Sequence, residues 1–138
     1  MSRPSLLQGV EFGNAGDLDT QGTGWFVGFG AWTHAPSTAL RHVADGTTTG
    51  GPCIKYFRHP AGHPNGDPKP LSEGRTLSML VDAQSEFRIE FSTRADFAPA
   101  DSLAHTLRRH GDFVIWGPGI HHRAFGIQTA CILTVRWT

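Results

Sequence analysis

Gly111-Asp112-Phe113-Val114-Ile115-Trp116-Gly117-Pro118-Gly119-Ile120-His121-His122 is the stretch on which the reading of this chain turns. Gly111-Asp112 makes a tight turn into Phe113 to Trp116, an apolar run rich in β-branched and aromatic residues, as a buried strand requires. Gly117-Pro118-Gly119 then turns the chain sharply, because glycine reaches positive φ at little cost and proline fixes its own. The next strand opens on a histidine pair. Adjacent strand residues face opposite sides, so only one of His121 and His122 points inward.

Similar runs occupy most of the chain after residue 23. Residues 24–29 (GWFVGF), 52–59 (PCIKYFRH), 76–81 (TLSMLV), 86–92 (EFRIEFS) and 130–138 (ACILTVRWT) are short, rich in β-formers and bounded by turn residues. Such spacing predicts two antiparallel sheets in a sandwich or barrel. Only residues 100–109 offer a helical turn or two, from Leu103 and Leu107 at i,i+4. Residues 44–51 (ADGTTTGG) and 60–74 (PAGHPNGDPKPLSEG) read as loops, the second too long for a plain hairpin. Long ordered loops in compact domains are often functional.

The 138 residues accommodate one domain, with an N-terminal arm over 1–23 and a barrel over 24–138. Lys plus Arg balance Asp plus Glu, 12 against 12. That balance argues against general affinity for nucleic acid or an anionic membrane, since either needs a basic excess. Cys53 and Cys131 form no CxxC pair and no disulfide framework, so a reducing cytoplasm is the expected compartment. Residues 1–10 lack the apolar stretch of a signal peptide, and no run of about 18 apolar residues occurs. The expectation is a chain neither exported by that route nor membrane-spanning.

The stretch 111–122 resembles the second conserved motif of the cupin superfamily: a Gly-Asp opening, a Pro-x-Gly turn and then a histidine. Gly111, Gly119 and His122 fall at the family's spacing. The proline is displaced by one, to Pro118, and Gly126 stands where an asparagine is frequent. Together with 24–28, 55–62, 76–81, 87–91 and 133–137, it is similar to small stand-alone bacterial cupin-like proteins, a group without an established function whose members often carry the label signal peptidase I. The resemblance implies an all-β, cupin-type double-stranded β-helix (a jelly-roll barrel) in a single domain, with His122 as the inward histidine. Cupins host enzymes, binding proteins and storage proteins alike.

In metal-dependent cupins the resemblance implies a His-x-His pair and a glutamate from the first motif, joined by the histidine of the second. Imidazoles and a carboxylate suit first-row metals. Here the first motif is broken. With Glu73 in the carboxylate slot, Asp67 and Lys69 fall where the histidines belong, and an ammonium repels a cation. No metal is the favoured expectation; a divalent transition metal held by His59, His63 and His122 is the alternative.

Alternation supplies a second clue. Lys55, Phe57 and His59 share one face of their strand, and Ile54, Tyr56 and Arg58 the other. His122, His59 and Lys55 are the candidate catalytic residues. Arg88, Arg136, Trp116, Trp25 and Tyr56 are the ligand-binding candidates, the arginines for an anion and the tryptophans for aromatic walls. For the strand arginines solvation, and for the tryptophans core packing, is the plainer alternative.

These residues suit an enzyme acting on an organic acid or similar anionic metabolite by isomerase, cyclase or lyase chemistry. A non-catalytic module that binds or senses a small ligand, and a metal-dependent oxygenase, are the alternatives. The expected partners are a small-molecule ligand and a second copy in a two-fold homodimer.

Overall fold

The computed structural model describes residues 19–27, 53–67, 69–71 and 74–137. Among them eight strands form: β1 (Trp25–Val27), β2 (Cys53–His59), β3 (Arg75–Leu80), β4 (Gln84–Ser92), β5 (Ser102–Arg109), β6 (Phe113–Trp116), β7 (His121–Gly126) and β8 (Ala130–Trp137). Every pairing is antiparallel, in two sheets ordered β1-β2-β8-β3-β6 and β5-β4-β7. That interleaved order is the cupin-type double-stranded β-helix. The sheet alternation repeats the sequence pattern: Phe87, Ile89 and Phe91 of β4 are buried while Arg88 is exposed. No helix among the described residues is long and apolar enough to cross a membrane.

Residues 100–109 depart from the helical expectation. Pro99–Asp101 makes a single 3-10 turn, and Ser102–Arg109 pairs along β4 as an edge strand. Leu103 and Leu107 do not discriminate, because a spacing of four keeps two residues on one face of a strand as well as of a helix. Leu107 lies opposite Phe87 and is fully buried, whereas Leu103, opposite Phe91, is 64% exposed.

On the side of β7 away from β4 lies the described stretch 60–67, which touches β7 at one bridge, Asn65 to Phe125. Gly62 N–H donates to Gly126 O (2.6 Å), and Gly126 N–H donates to Pro64 O (2.8 Å). The loop backbone lies so close that a Cβ at Gly126 would collide with the carbonyl of His63. This close approach explains glycine where the cupin motif that the stretch resembles often has asparagine. Gly126→Ala is expected to destabilise the fold by about 2 kcal/mol through overpacking. Urea denaturation checks this, and an unchanged midpoint would refute the close packing of loop on strand.

The space between the sheets is divided. Leu80, Ile132, Phe87, Ile89, Phe91 and Leu107 form an apolar core. Over the neighbouring inward positions of β3 and β8 the side chains turn polar. Ser78 Oγ and Thr134 Oγ1 share a hydrogen bond (2.8 Å), and Arg136 Nε donates to Thr76 Oγ1 (2.9 Å). One part of the barrel is therefore packed solid, and the part next to it is a polar-floored chamber.

Candidate functional site

The chamber is a cavity of about 410 Å³, within the range typical of small-molecule sites. β2 supplies Lys55, Phe57 and His59, because residues two apart share a face. Register aligns Lys55 with Thr134 of β8, and Thr134 with Ser78 of β3. β8 also contributes Arg136, β6 Trp116, β7 His122, and the turn before β1 places Gly22 and Thr23 at the wall. The described end of the N-terminal arm thus borders the cavity. His63 and Lys69 reach it from the 60–74 loop.

His59 sits between two aromatic rings, 4.6 Å from Phe57 and 5.0 Å from Phe87 between centroids. His122 packs on Trp116 at 4.8 Å. Both imidazoles are held to a pKa of about 4. Burial is the main cause for each; Lys55, His63 and Lys69 add to it at His59, and Arg136, Lys69, Lys55 and His121 at His122. Both are neutral at physiological pH. His59 Nδ1, His122 Nδ1 and Trp116 Nε1 are buried and make no hydrogen bond to another described residue. Three residues that line the cavity from both sheets thus each carry a buried polar atom without a partner among the described residues.

Lys55 Nζ lies 5.8 Å from the Trp25 ring centroid and 5.5 Å from that of Phe57. Its pKa falls to about 8, through burial first and then repulsion by Lys69 and Arg136. Arg136 lies over Trp25, 5.1 Å from the ring centroid. Among the described residues no carboxylate lines the cavity. The described charged groups of the cavity, Lys55, Lys69 and Arg136, are all cationic.

His122, His59, Lys55, Arg136, Trp116 and Trp25 are thus gathered in one chamber. Two other candidates need correction. Arg88 projects from the outer face of β4, where it pairs with Glu90 and lies over Phe125. Tyr56 alternates with Lys55 onto the opposite face of β2, beside Cys131, whose side-chain hydrogen bond is the main cause that raises the phenol's pKa. Both belong to the outer surface because Phe87 and Ile89 of β4, and Lys55 and Phe57 of β2, already occupy the inward positions. His105 and His110 are exposed on β5 and the turn after it; His34 and His42 lie outside the described residues.

Lys69 is the charged group that strand alternation does not reveal, since it stands on a loop. Its signal is its position in the family frame, where it takes a ligand histidine's place. Thr76, Ser78 and Thr134 also escape sequence reading, because short hydroxyl residues in a strand look like ordinary β-formers.

The described donor set does not fit the metal of metal-dependent cupins. Among the described residues the cavity has three imidazoles, but the rings of His59 and His63 lie face to face, 6.4 Å apart between centroids. Among the described residues no three His, Cys, Asp or Glu side chains converge to hold an ion. Lys55, Lys69 and Arg136 would repel a divalent cation there. Glu73, the frame's carboxylate, lies outside the described residues.

No family model and no curated protein matches the sequence. Among solved structures, hydroxypropylphosphonic acid epoxidase from S. wedmorenis in complex with fosfomycin is 9% identical, with a TM-score of 0.49 over 62% of this chain and 43% of that one. The 2-hydroxyethylphosphonate dioxygenase of Streptomyces albus, with substrate and Fe(II) bound, is 15% identical with a TM-score of 0.49, over 62% of this chain and 18% of that one. The chain spans less than half the length of either. Likeness at this level says nothing about what this cavity holds.

Proposed function

We propose that the protein is an enzyme of small organic acids that takes the substrate as its anion into the barrel and transforms it by metal-free proton transfer. The carrying observation is Lys55, a desolvated ammonium with no carboxylate partner among the described residues, in a chamber lined by two neutral imidazoles. The resemblance to small stand-alone cupin-like proteins accords with this reading but does not specify the reaction.

The chemistry follows from the charges. An entering carboxylate pairs with Lys55 and Arg136 and offsets the desolvation of the ammonium. The same negative charge raises the imidazole pKa values from about 4 towards neutrality, where a general base works best. His122 or His59 then removes a proton from carbon, and Lys55 or Arg136 stabilises the resulting enolate. Isomerisation of an oxo acid passes through such an anion, cyclisation can use it as the nucleophile, and decarboxylation of a 3-oxo acid reaches it by loss of CO2. The apolar rings around His59 limit water at the reacting carbon.

Calorimetry with lactate and with its neutral amide, lactamide, tests the anion site. Lactate is expected to bind at pH 7 and lactamide not to. Equal binding of both, or of neither, would remove the basis for the reading. Turnover is tested by proton NMR of small oxo acids in deuterated water. Protein-dependent loss of the signal of the protons on the carbon next to the carbonyl is expected; binding without exchange would make the protein a binding module.

A further inference from the structure

We infer that Lys55 is a covalent nucleophile: its Nζ condenses with the carbonyl of a small oxo acid to form an imine, which makes carbonyl-bearing acids the substrate class of this cavity. The inference rests on the anion reading above and goes beyond it in substrate and in mechanism.

Residue usage is the first argument. The chain has only two lysines, Lys55 and Lys69, against ten arginines. Both lysines line this one cavity. A guanidinium supplies charge but stays protonated, whereas an amine can shed its proton and attack carbon. The chain has arginine at every other basic side-chain position and both of its lysine amines at the chamber.

Position is the second. Lys55 projects from a central strand, paired with β1 on one side and β8 on the other, so its backbone is fixed. Its Nζ lies by the rings of Trp25 and Phe57, with Lys69 and Arg136 as cationic neighbours. Desolvation next to another cation is the general means of activating a nucleophilic lysine. With the pKa at about 8, the free-amine fraction at pH 7.5 is roughly two hundredfold that of an ordinary lysine. Arg136, on the same floor, suits the substrate carboxylate while the amine engages the carbonyl.

The step balances without another reactant. The Nζ lone pair forms the C–N bond, and the carbonyl π pair moves to oxygen. Both protons of the neutral amine pass to that oxygen, which leaves as water and yields the imine. Neutral His59 and His122 can relay those protons. The imine then withdraws electrons from the adjacent carbon, where proton loss or decarboxylation follows.

Trapping decides the matter. The protein is incubated with pyruvate and sodium cyanoborohydride, analysed by intact mass and mapped by peptide. One reduced adduct per chain on Lys55 is expected, abolished by Lys55→Arg and retained in Lys69→Arg. Lactate calorimetry is run alongside, because lactate has the carboxylate but no carbonyl. Lactate binding without an adduct, or an adduct confined to Lys69 or the N-terminal amine, overturns the inference and leaves the anion reading intact. A Lys55 adduct without lactate binding supports the nucleophile and overturns the anion reading; absence of both overturns both. Mapping of the wild-type chain decides even where a variant fails to fold.

Discussion

Lys55→Met is expected to make the protein more stable, by about 2 kcal/mol at pH 7, while abolishing lactate binding. Lowering the lysine pKa from 10.5 to about 8 means that the folded state disfavours the ammonium by about 3 kcal/mol. Methionine keeps an unbranched chain of similar length against Trp25 and Phe57 and removes the charge. It also gives up the attraction of the ammonium to those two rings, which is weak at such distances and offsets only part of the gain. The pH dependence has a definite sign. Below about pH 8 lysine is charged in both folded and unfolded chains, so the penalty is fully present. It fades as pH rises and is gone above 10.5. Melting is therefore expected to rise by roughly 5–10 °C in the variant at pH 7, with the difference closing by pH 10.5. A variant less stable than the parent at pH 7 would show that Lys55 is compensated in the folded chain, and the anion site would lose its premise. A gain in stability with a loss of binding is the usual mark of a strained functional group.

What the sequence discloses and what it hides have distinct physical causes. Alternation over 86–92 and the turn chemistry of 111–122 are local properties, and β4, β6 and the inward His122 follow from them. Lys55 and His59 are legible because a spacing of four along β2 keeps them on one face. Which face points inward is not a local property. Arg88 and Arg136 each stand between apolar neighbours, yet Arg88 faces solvent and Arg136 the cavity. Arg88 alternates with the inward Phe87 and Ile89 and meets Glu90 outside, whereas Thr76, across the sheet, accepts from Arg136 within. β5 eludes the pattern because its two leucines fit both periodicities. Lys69 is out of reach of strand reasoning because a loop, and no periodicity, brings it to the mouth.

Acid should unfold this protein earlier than carboxylate titration alone requires. His59 and His122 are neutral in the fold, each lowered from 6.5 to about 4, chiefly by burial. Above pH 6.5 they are neutral in folded and unfolded chains alike, and their contribution is fully present. Between 6.5 and 4 the unfolded chain takes up protons that the folded chain refuses, so stability falls with pH. At face value each shift is worth about 3 kcal/mol. Solvent reaches part of each ring, and discounting for its screening leaves roughly 3 kcal/mol for the pair. Urea denaturation at pH 7 and pH 4.5 measures the loss, and His59→Gln with His122→Gln should flatten it. Lactate should reduce it as well, since a bound anion faces Lys55, Lys69 and Arg136 and favours the imidazolium forms. Lactate affinity is then expected to rise as pH falls from 7 to 5, because binding draws protons onto the histidines. A steep loss of stability in this window that persists in the double variant would assign it to other groups. Affinity that is flat or falling with acid would mean that the anion does not meet His59 and His122, and the proposed base would have to be sought elsewhere in the chamber.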